Sequence, residues 1–229
     1  KRVPFIFEVR DILPQQAVDV GMLKNHLLIG TLSAIERFLY RRAHAVVCVA
    51  EASRHALIAR GIHESKCFTI ENGIQEDFFT PSPKANAVRA EYGWTDKFVL
   101  MYIGAHGVSQ GLYTLLDVAE RLQENPDIRI VFVGDGSDKS GLMKSAQQRS
   151  LHNVEFLPIQ DKARMPLFYA AADVCFVPLR KGAYFRLNIP SKIFEILACG
   201  RPVILGAEGQ ARAVIEESGG GIAVCPEAP

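Results

Sequence analysis

Along most of its length the sequence alternates short, uninterrupted apolar runs with segments whose apolar residues recur every three or four positions. Runs such as FVLMYI (98–103), VCFVP (174–178) and, apart from Arg129 near its start, IRIVFVG (128–134) leave no alternating polar face for water. They fit parallel strands covered on both sides, and the strand–helix alternation makes α/β, with doubly wound sheets, the fold class to expect. The runs predict strands at 3–9, 45–50, 67–71, 98–103, 128–134, 154–157, 174–178, 202–205 and 221–224. Helices are predicted at 24–42, 52–60, 112–124, 138–149, 164–171, 191–198 and 209–217.

The rhythm breaks between Asn72 and Lys97, where Asn72-Gly73, Pro81 and Pro83 replace aliphatic residues. Such punctuation is expected of a linker. The expected division is therefore residues 1–78, a linker at 79–97, and residues 98–229. Three strands are few for a doubly wound domain, and Lys1 is not a natural start, so the chain is expected to be a piece of something longer.

Composition excludes several classes. The chain is 48% hydrophobic and 22% charged with a net charge of +1, which suits a globular protein and not a nucleic-acid binder. Residues 1–60 hold 9 Lys/Arg and 5 Asp/Glu, a net +4 that leaves −3 for the remainder. The five cysteines are widely spaced without a C-x-x-C pair, arguing against a disulfide framework or zinc site and for a reducing compartment. No apolar stretch is long enough to span a bilayer. The segment 24–42 combines Leu28, Leu32, Ile35 and Leu39 with Lys24, Arg37, Arg41 and Arg42. A basic amphipathic helix can lie on a membrane, but a core-facing helix with a charged back is the stronger expectation.

Parallel sheets bind ligands beyond the carboxyl ends of their strands. The loop after 98–103, GAHGVSQG (104–111), frees backbone N–H groups at a helix start, where phosphate binds well. Glycine-rich turns are also common for steric reasons alone. His106 could meet a phosphate or simply be exposed. The turn Gly134-Asp135-Gly136 and the segment LPIQ (157–160) follow the next two strands. Most informative is PSKIFEILACGRPVI (190–204): a helix start, an internal Glu195 among apolar residues, a stop at Gly200 and a strand opened by Pro202. Burying that carboxylate is costly without a partner. Ligand hydroxyls and an ion pair with Lys192 at i, i+3 satisfy it equally well.

PSKIFEILACGRPVI resembles the donor-site signature of retaining GT-B glycosyltransferases, and within them the bacterial amino-sugar (acetyl-fucosamine-type) transferases. VVCVAE (46–51), IENGIQEDFFTP (70–81), VFVGDG (131–136), NVEFL (153–157) and YAAADV (169–174) match further family segments in order. The resemblance implies a partial N-terminal Rossmann-like domain in residues 1–78 and most of a donor-binding Rossmann-like domain in 98–229, with the donor in the cleft between them. It implies that Glu195 holds the ribose hydroxyls, that the Gly104–Gly111 loop (with Gln110) and the start of the 191–198 helix (Ser191, Lys192) cradle the diphosphate, that Ile159 lies by the base, and that Gly134 belongs to the donor site. His106 and Arg186 join this donor set, and Arg10 and Asp11 stand where the family often carries a catalytic histidine. Ala105 and Gln110 stand where members often have Arg and Lys, and Leu187 where many have a second Glu. The implied function is transfer of an N-acetylated deoxy-amino sugar from a UDP-sugar to a lipid-linked or oligosaccharide acceptor, without metal or cofactor. Its implied setting is the inner face of the cytoplasmic membrane, with peripheral contact and no nucleic acid. A UDP-sugar 2-epimerase on the same fold and a non-catalytic nucleotide-sugar-binding module are the alternatives.

Overall fold

Valine- and isoleucine-rich runs become strands only where a neighbouring strand offers its backbone. The computed structural model describes residues 3–229, which form two compact units. The first comprises the chain up to Gly73 with Lys181–Pro190 and Glu208–Ala211; the second holds Ile74–Arg180, Ser191–Ala207 and Arg212–Pro229.

The first unit runs β1 (Ile6–Val9), α1 (Gln15–Asp19), α2 (His26–Arg42), β2 (Ala45–Cys48), α3 (Glu51–Ala59), β3 (Cys67–Thr69). Its sheet is parallel in the order β1-β2-β3, with Ile6 opposite Ala45 and Cys48 opposite Thr69. β1 and β3 are shorter than expected because β2, sandwiched between them, supplies only four residues of ladder. Asn25 caps α2, its side chain accepting from the N–H groups of Leu27 and Leu28 at 3.0 and 3.2 Å. Of α2 only Tyr40 is buried, while Leu27, Leu28, Leu32, Ile35 and Phe38 are exposed. The expected core-facing helix is thus corrected in part: Leu39 is half-buried and lines a cavity with Leu32, Ile35, Phe7 and Leu23, but most of the apolar stripe stays exposed within the described residues.

The second unit begins in the segment expected to be a linker, and the structure corrects that reading for 79–97. Phe79, Val88 and Trp94 are buried, and α4 (Ala87–Tyr92) is capped at its start by Asn86 and closed by Gly93 in the left-handed conformation. Its Arg89 is buried and donates to the carbonyls of Ala171, Trp94 and Lys97 at 2.8, 2.9 and 3.1 Å and to the Asp173 carboxylate. There follow β4 (Phe98–Ile103), α5 (Tyr113–Leu122), β5 (Ile128–Val133), α6 (Lys139–Gln148), β6 (Val154–Leu157) and α7 (Met165–Ala171). The unit closes with β7 (Val174–Pro178), α8 (Lys192–Ala198), β8 (Val203–Gly206), α9 (Gln210–Ser218, whose first residues cluster with the first unit) and β9 (Gly221–Val224). The six strands are all parallel, in the order β6-β5-β4-β7-β8-β9. Leu100, Tyr102, Ile130 and Phe132 pack against Leu112, Leu115, Leu116 and Leu142 to form the core on one face. The chain works outward from β4 to β6 and then returns to β7 on the other side of β4. The strand order therefore reverses at β4, the place where open α/β sheets bind ligands.

All five cysteines are free thiols; Cys48, Cys67, Cys175 and Cys199 are buried and Cys225 is exposed.

Candidate functional site

At the carboxyl ends of β4, β5 and β6 lies a cavity of about 320 Å³ lined by Ile103, Gly104, Ala105, Val133, Gly134, Asp135, Ile159, Gln160 and Met165. Three residues expected at a donor site, Gly104, Gly134 and Ile159, thus meet at one opening. The backbone explains the two glycines. Gly134 has φ +137°, and a Cβ there would fall 2.0 Å from the Gly104 carbonyl oxygen. Gly104 has φ +144°, and its Cβ would fall 2.4 Å from Lys192 Nζ. Ile159 is exposed at the rim. Met165, at the start of α7, is a lining residue that the sequence did not single out.

His106 is neither exposed nor at the cavity surface, which corrects both expectations for it. Its ring is fully buried between Tyr102 and Phe132, with centroids 5.8 and 6.1 Å away. Neither ring nitrogen makes a well-formed hydrogen bond. Burial, with Lys139 adding to it, lowers the His106 pKa despite Asp135 and the Val133 backbone acting the other way, so the ring is neutral at pH 7. What His106 contributes is main chain. Its N–H donates to the Asp135 carbonyl (2.7 Å) and its carbonyl accepts from the Asp138 N–H (2.8 Å), tying the 104–111 loop to the 134–138 turn.

Lys192, in the first turn of α8, donates from Nζ to the Ile103 carbonyl at 2.8 Å and lies 4.5 Å over the Tyr102 ring. Tyr102 in turn donates its hydroxyl to the Ala105 carbonyl at 2.6 Å. An ammonium is thereby held at the end of β4, against the glycine that lines the cavity. Desolvation lowers its pKa to about 8, partly opposed by the Glu195 charge. Lys139 does a parallel task next door, its Nζ donating to the Gly134 and Leu157 carbonyls at 2.7 and 3.0 Å. Lys139, at the start of α6, was not singled out by the sequence.

Glu195 makes no ion pair with Lys192, so the local pairing left open by the sequence is not the one formed. Its Oε2 accepts from the Tyr169 hydroxyl at 2.8 Å. Tyr169, on α7, is buried, and sequence reasoning missed its part; the only signal was its place in YAAADV, four residues before Asp173.

The other expected residues lie outside the cavity lining. Gln110 ends the short 3₁₀ turn Val108–Gln110, Gly111 follows in the left-handed conformation, and Ser191 is exposed just before α8. Arg186 belongs to the first unit and pairs with Glu208 at 2.9 Å. Arg10 is exposed and reaches Glu8 at 3.3 Å and Asn72 at 3.2 Å, and Asp11 accepts from the Tyr184 hydroxyl. Among the described residues no cluster of three or more His, Cys, Asp or Glu has the arrangement to hold a metal.

Comparison with known proteins places the chain in a family. The profile of the family described as glycosyl transferases group 1 matches residues 97–229. The chain belongs to this family. WcaI of Escherichia coli (strain K12), named as a candidate glycosyl transferase of colanic acid biosynthesis, is 30% identical over 199 residues, covering 85% of this chain and 48% of WcaI. The D-inositol 3-phosphate glycosyltransferase of Mycobacteroides abscessus is 34% identical over 148 residues, 61% of this chain and 31% of that protein. The group 1 chain thus spans about half, or less, of the length of these curated relatives. Among solved structures, Anabaena HepE in complex with UDP and glucose superposes with a TM-score of 0.80 at 22% identity, over 98% of this chain and 58% of that one. That likeness establishes for this group 1 member the GT-B fold.

Proposed function

We propose that this chain is the donor-binding part of a retaining glycosyltransferase that moves a sugar from a UDP-sugar to a glycan acceptor in bacterial polysaccharide synthesis. One observation carries the reading: a cavity at the carboxyl ends of β4, β5 and β6, with a lysine ammonium fixed against its glycine wall on the same unit as a carboxylate that has no ionic partner among the described residues. The solved relative HepE, crystallised with UDP and glucose, supports UDP as the nucleotide. In this reading the base enters between Ile159 and Gln160, the diphosphate lies over the Gly104 and Gly134 backbones, and Glu195 takes the ribose hydroxyls. When the bond from sugar to β-phosphate breaks, negative charge grows on the departing UDP, and Lys192 with the first turn of α8 offsets it. Residues 1–78 would serve the acceptor side, with Arg10 and Asp11 near the reacting sugar and Arg186 on the donor. Gln110, Gly111 and Ser191 would complete the diphosphate cradle, and no metal is called for. An N-acetylated deoxy-amino sugar and a lipid-linked acceptor at the inner membrane face fit the subgroup resemblance. Membrane contact gains support from the exposed apolar side chains of α2 with Arg37, Arg41 and Arg42 on the same helix. Among the described residues no helix is long and apolar enough to cross a membrane.

Calorimetric titration with UDP, GDP and ADP tests the reading. UDP is expected to bind best, and Glu195→Ala to weaken it by roughly ten-fold or more, the worth of hydrogen bonds to a charged group. Equal binding of the three nucleotides, or an unaffected variant, removes the donor assignment. Release of free UDP together with a glycoside product would separate transfer from 2-epimerisation.

A further inference from the structure

Glu195 and Lys192 sit three residues apart on α8, a spacing at which opposite charges ordinarily meet. Here each is held by something else. Lys192 Nζ is bonded to the Ile103 carbonyl at 2.8 Å, and Glu195 Oε2 takes the Tyr169 hydroxyl at 2.8 Å. Tyr169 is buried beside Phe79, whose ring centroid is 6.2 Å away. A buried hydroxyl needs a partner, and the carboxylate is the one it has. A phenol with one proton to give can occupy one carboxylate oxygen only. No other hydrogen bond to this carboxylate forms among the described residues, so Oε1 is left to accept from elsewhere.

We propose that Tyr169 is a positioning residue for nucleotide recognition: its hydroxyl anchors one oxygen of Glu195, keeps the carboxylate from collapsing onto Lys192, and thereby presents the other oxygen to a vicinal diol of the ligand. This rests on the reading of Glu195 as the ribose-binding group. It adds that ribose selectivity depends on a residue from α7 that touches no ligand, and that one tyrosine holds apart the groups that read the sugar and the phosphate.

The test compares UDP with 2′,3′-dideoxy-UDP by calorimetry on the unaltered chain, Tyr169→Phe and Glu195→Gln, with thermal unfolding of each. The unaltered chain is expected to favour UDP by roughly ten-fold or more, and Tyr169→Phe to lose most of that preference while binding the dideoxy nucleotide within about two-fold of the unaltered chain. A merely structural tyrosine would weaken both nucleotides alike and leave the preference intact, and that result overturns the inference. Should Tyr169→Phe unfold, Tyr169→Met supplies apolar volume without the hydroxyl and is held to the same criterion. If Tyr169→Phe keeps the preference while Glu195→Gln loses it, only the role of Tyr169 fails. If Glu195→Gln also keeps it, or the unaltered chain binds both nucleotides equally or neither, the ribose reading fails and takes this inference with it.

Discussion

Lys192 shows how one side chain sets a pH window. Burial lowers its pKa to about 8 from an ordinary 10.5. Between those values the unfolded chain binds a proton that the folded chain does not, so this group makes stability rise with pH across the window. Urea unfolding midpoints measured from pH 7 to 10 should show that rise and lose it in Lys192→Met. Ligand binding has the opposite sign, because a diphosphate prefers the ammonium form. UDP affinity is expected to fall as pH climbs through about 8, and the Lys192→Met profile to be flat there. Gly104→Ala attacks the same contact sterically, since its Cβ would crowd Lys192 Nζ at a φ of +144°. It should lower UDP affinity in the same titration without abolishing folding. At this scale the sequence was informative about residue type and silent about orientation. Glu195 and Lys192 could be marked as a charged pair on an apolar helix, but whether they bonded each other depended on Tyr169 and Ile103, distant in the chain. His106 failed for the same reason: a glycine-rich loop says nothing of which side chain folds under it.

Among the elements, α4 carries the clearest lesson. Two prolines and few aliphatic residues hid a helix whose terminal signals were nonetheless present, Asn86 before it and Gly93 after it. A six-residue helix has too few turns for periodicity, so only its caps were legible. What holds it is Arg89 with Asp173, whose side chains are 4% and 12% exposed. Burial raises the Asp173 pKa, but Lys84, the Val99 N–H and Arg89 outweigh it and hold the group below its usual value. That contribution is fully present above the ordinary carboxylate range and is lost as pH falls through the lowered folded value. Arg89→Ala leaves Asp173 with Lys84 and the Val99 N–H but takes the donor from the Ala171, Trp94 and Lys97 carbonyls, and is expected to cost about 1–3 kcal/mol, read as a lower urea midpoint at unchanged slope. The long central strands were legible almost to the residue because continuous apolar runs have no other stable use. β1 and β3 were overestimated because ladder length is set by the partner, which a strand's own residues do not encode.

For the whole molecule, charge and apolar exposure point the same way: the first 60 residues carry the net +4, and α2 within them leaves five large apolar side chains at least partly exposed. If that stripe meets a bilayer, the chain should co-sediment with phosphatidylglycerol vesicles, more weakly at about 0.5 M salt than at low salt. Leu27→Asp or Phe38→Asp should reduce the binding, and variants that sediment unchanged would set the membrane proposal aside. The thiols offer a practical route to such measurements. Burial pushes Cys48 and Cys199 up to about 11 and Cys175 up to about 12, keeping them protonated at neutral pH, and it raises Cys67 as well. Only Cys225, just past β9, faces solvent. A maleimide dye added to the folded chain should therefore attach once, at a known address next to the last strand of the six-stranded sheet, giving a fluorescent reporter for the ligand and vesicle titrations with no engineered cysteine.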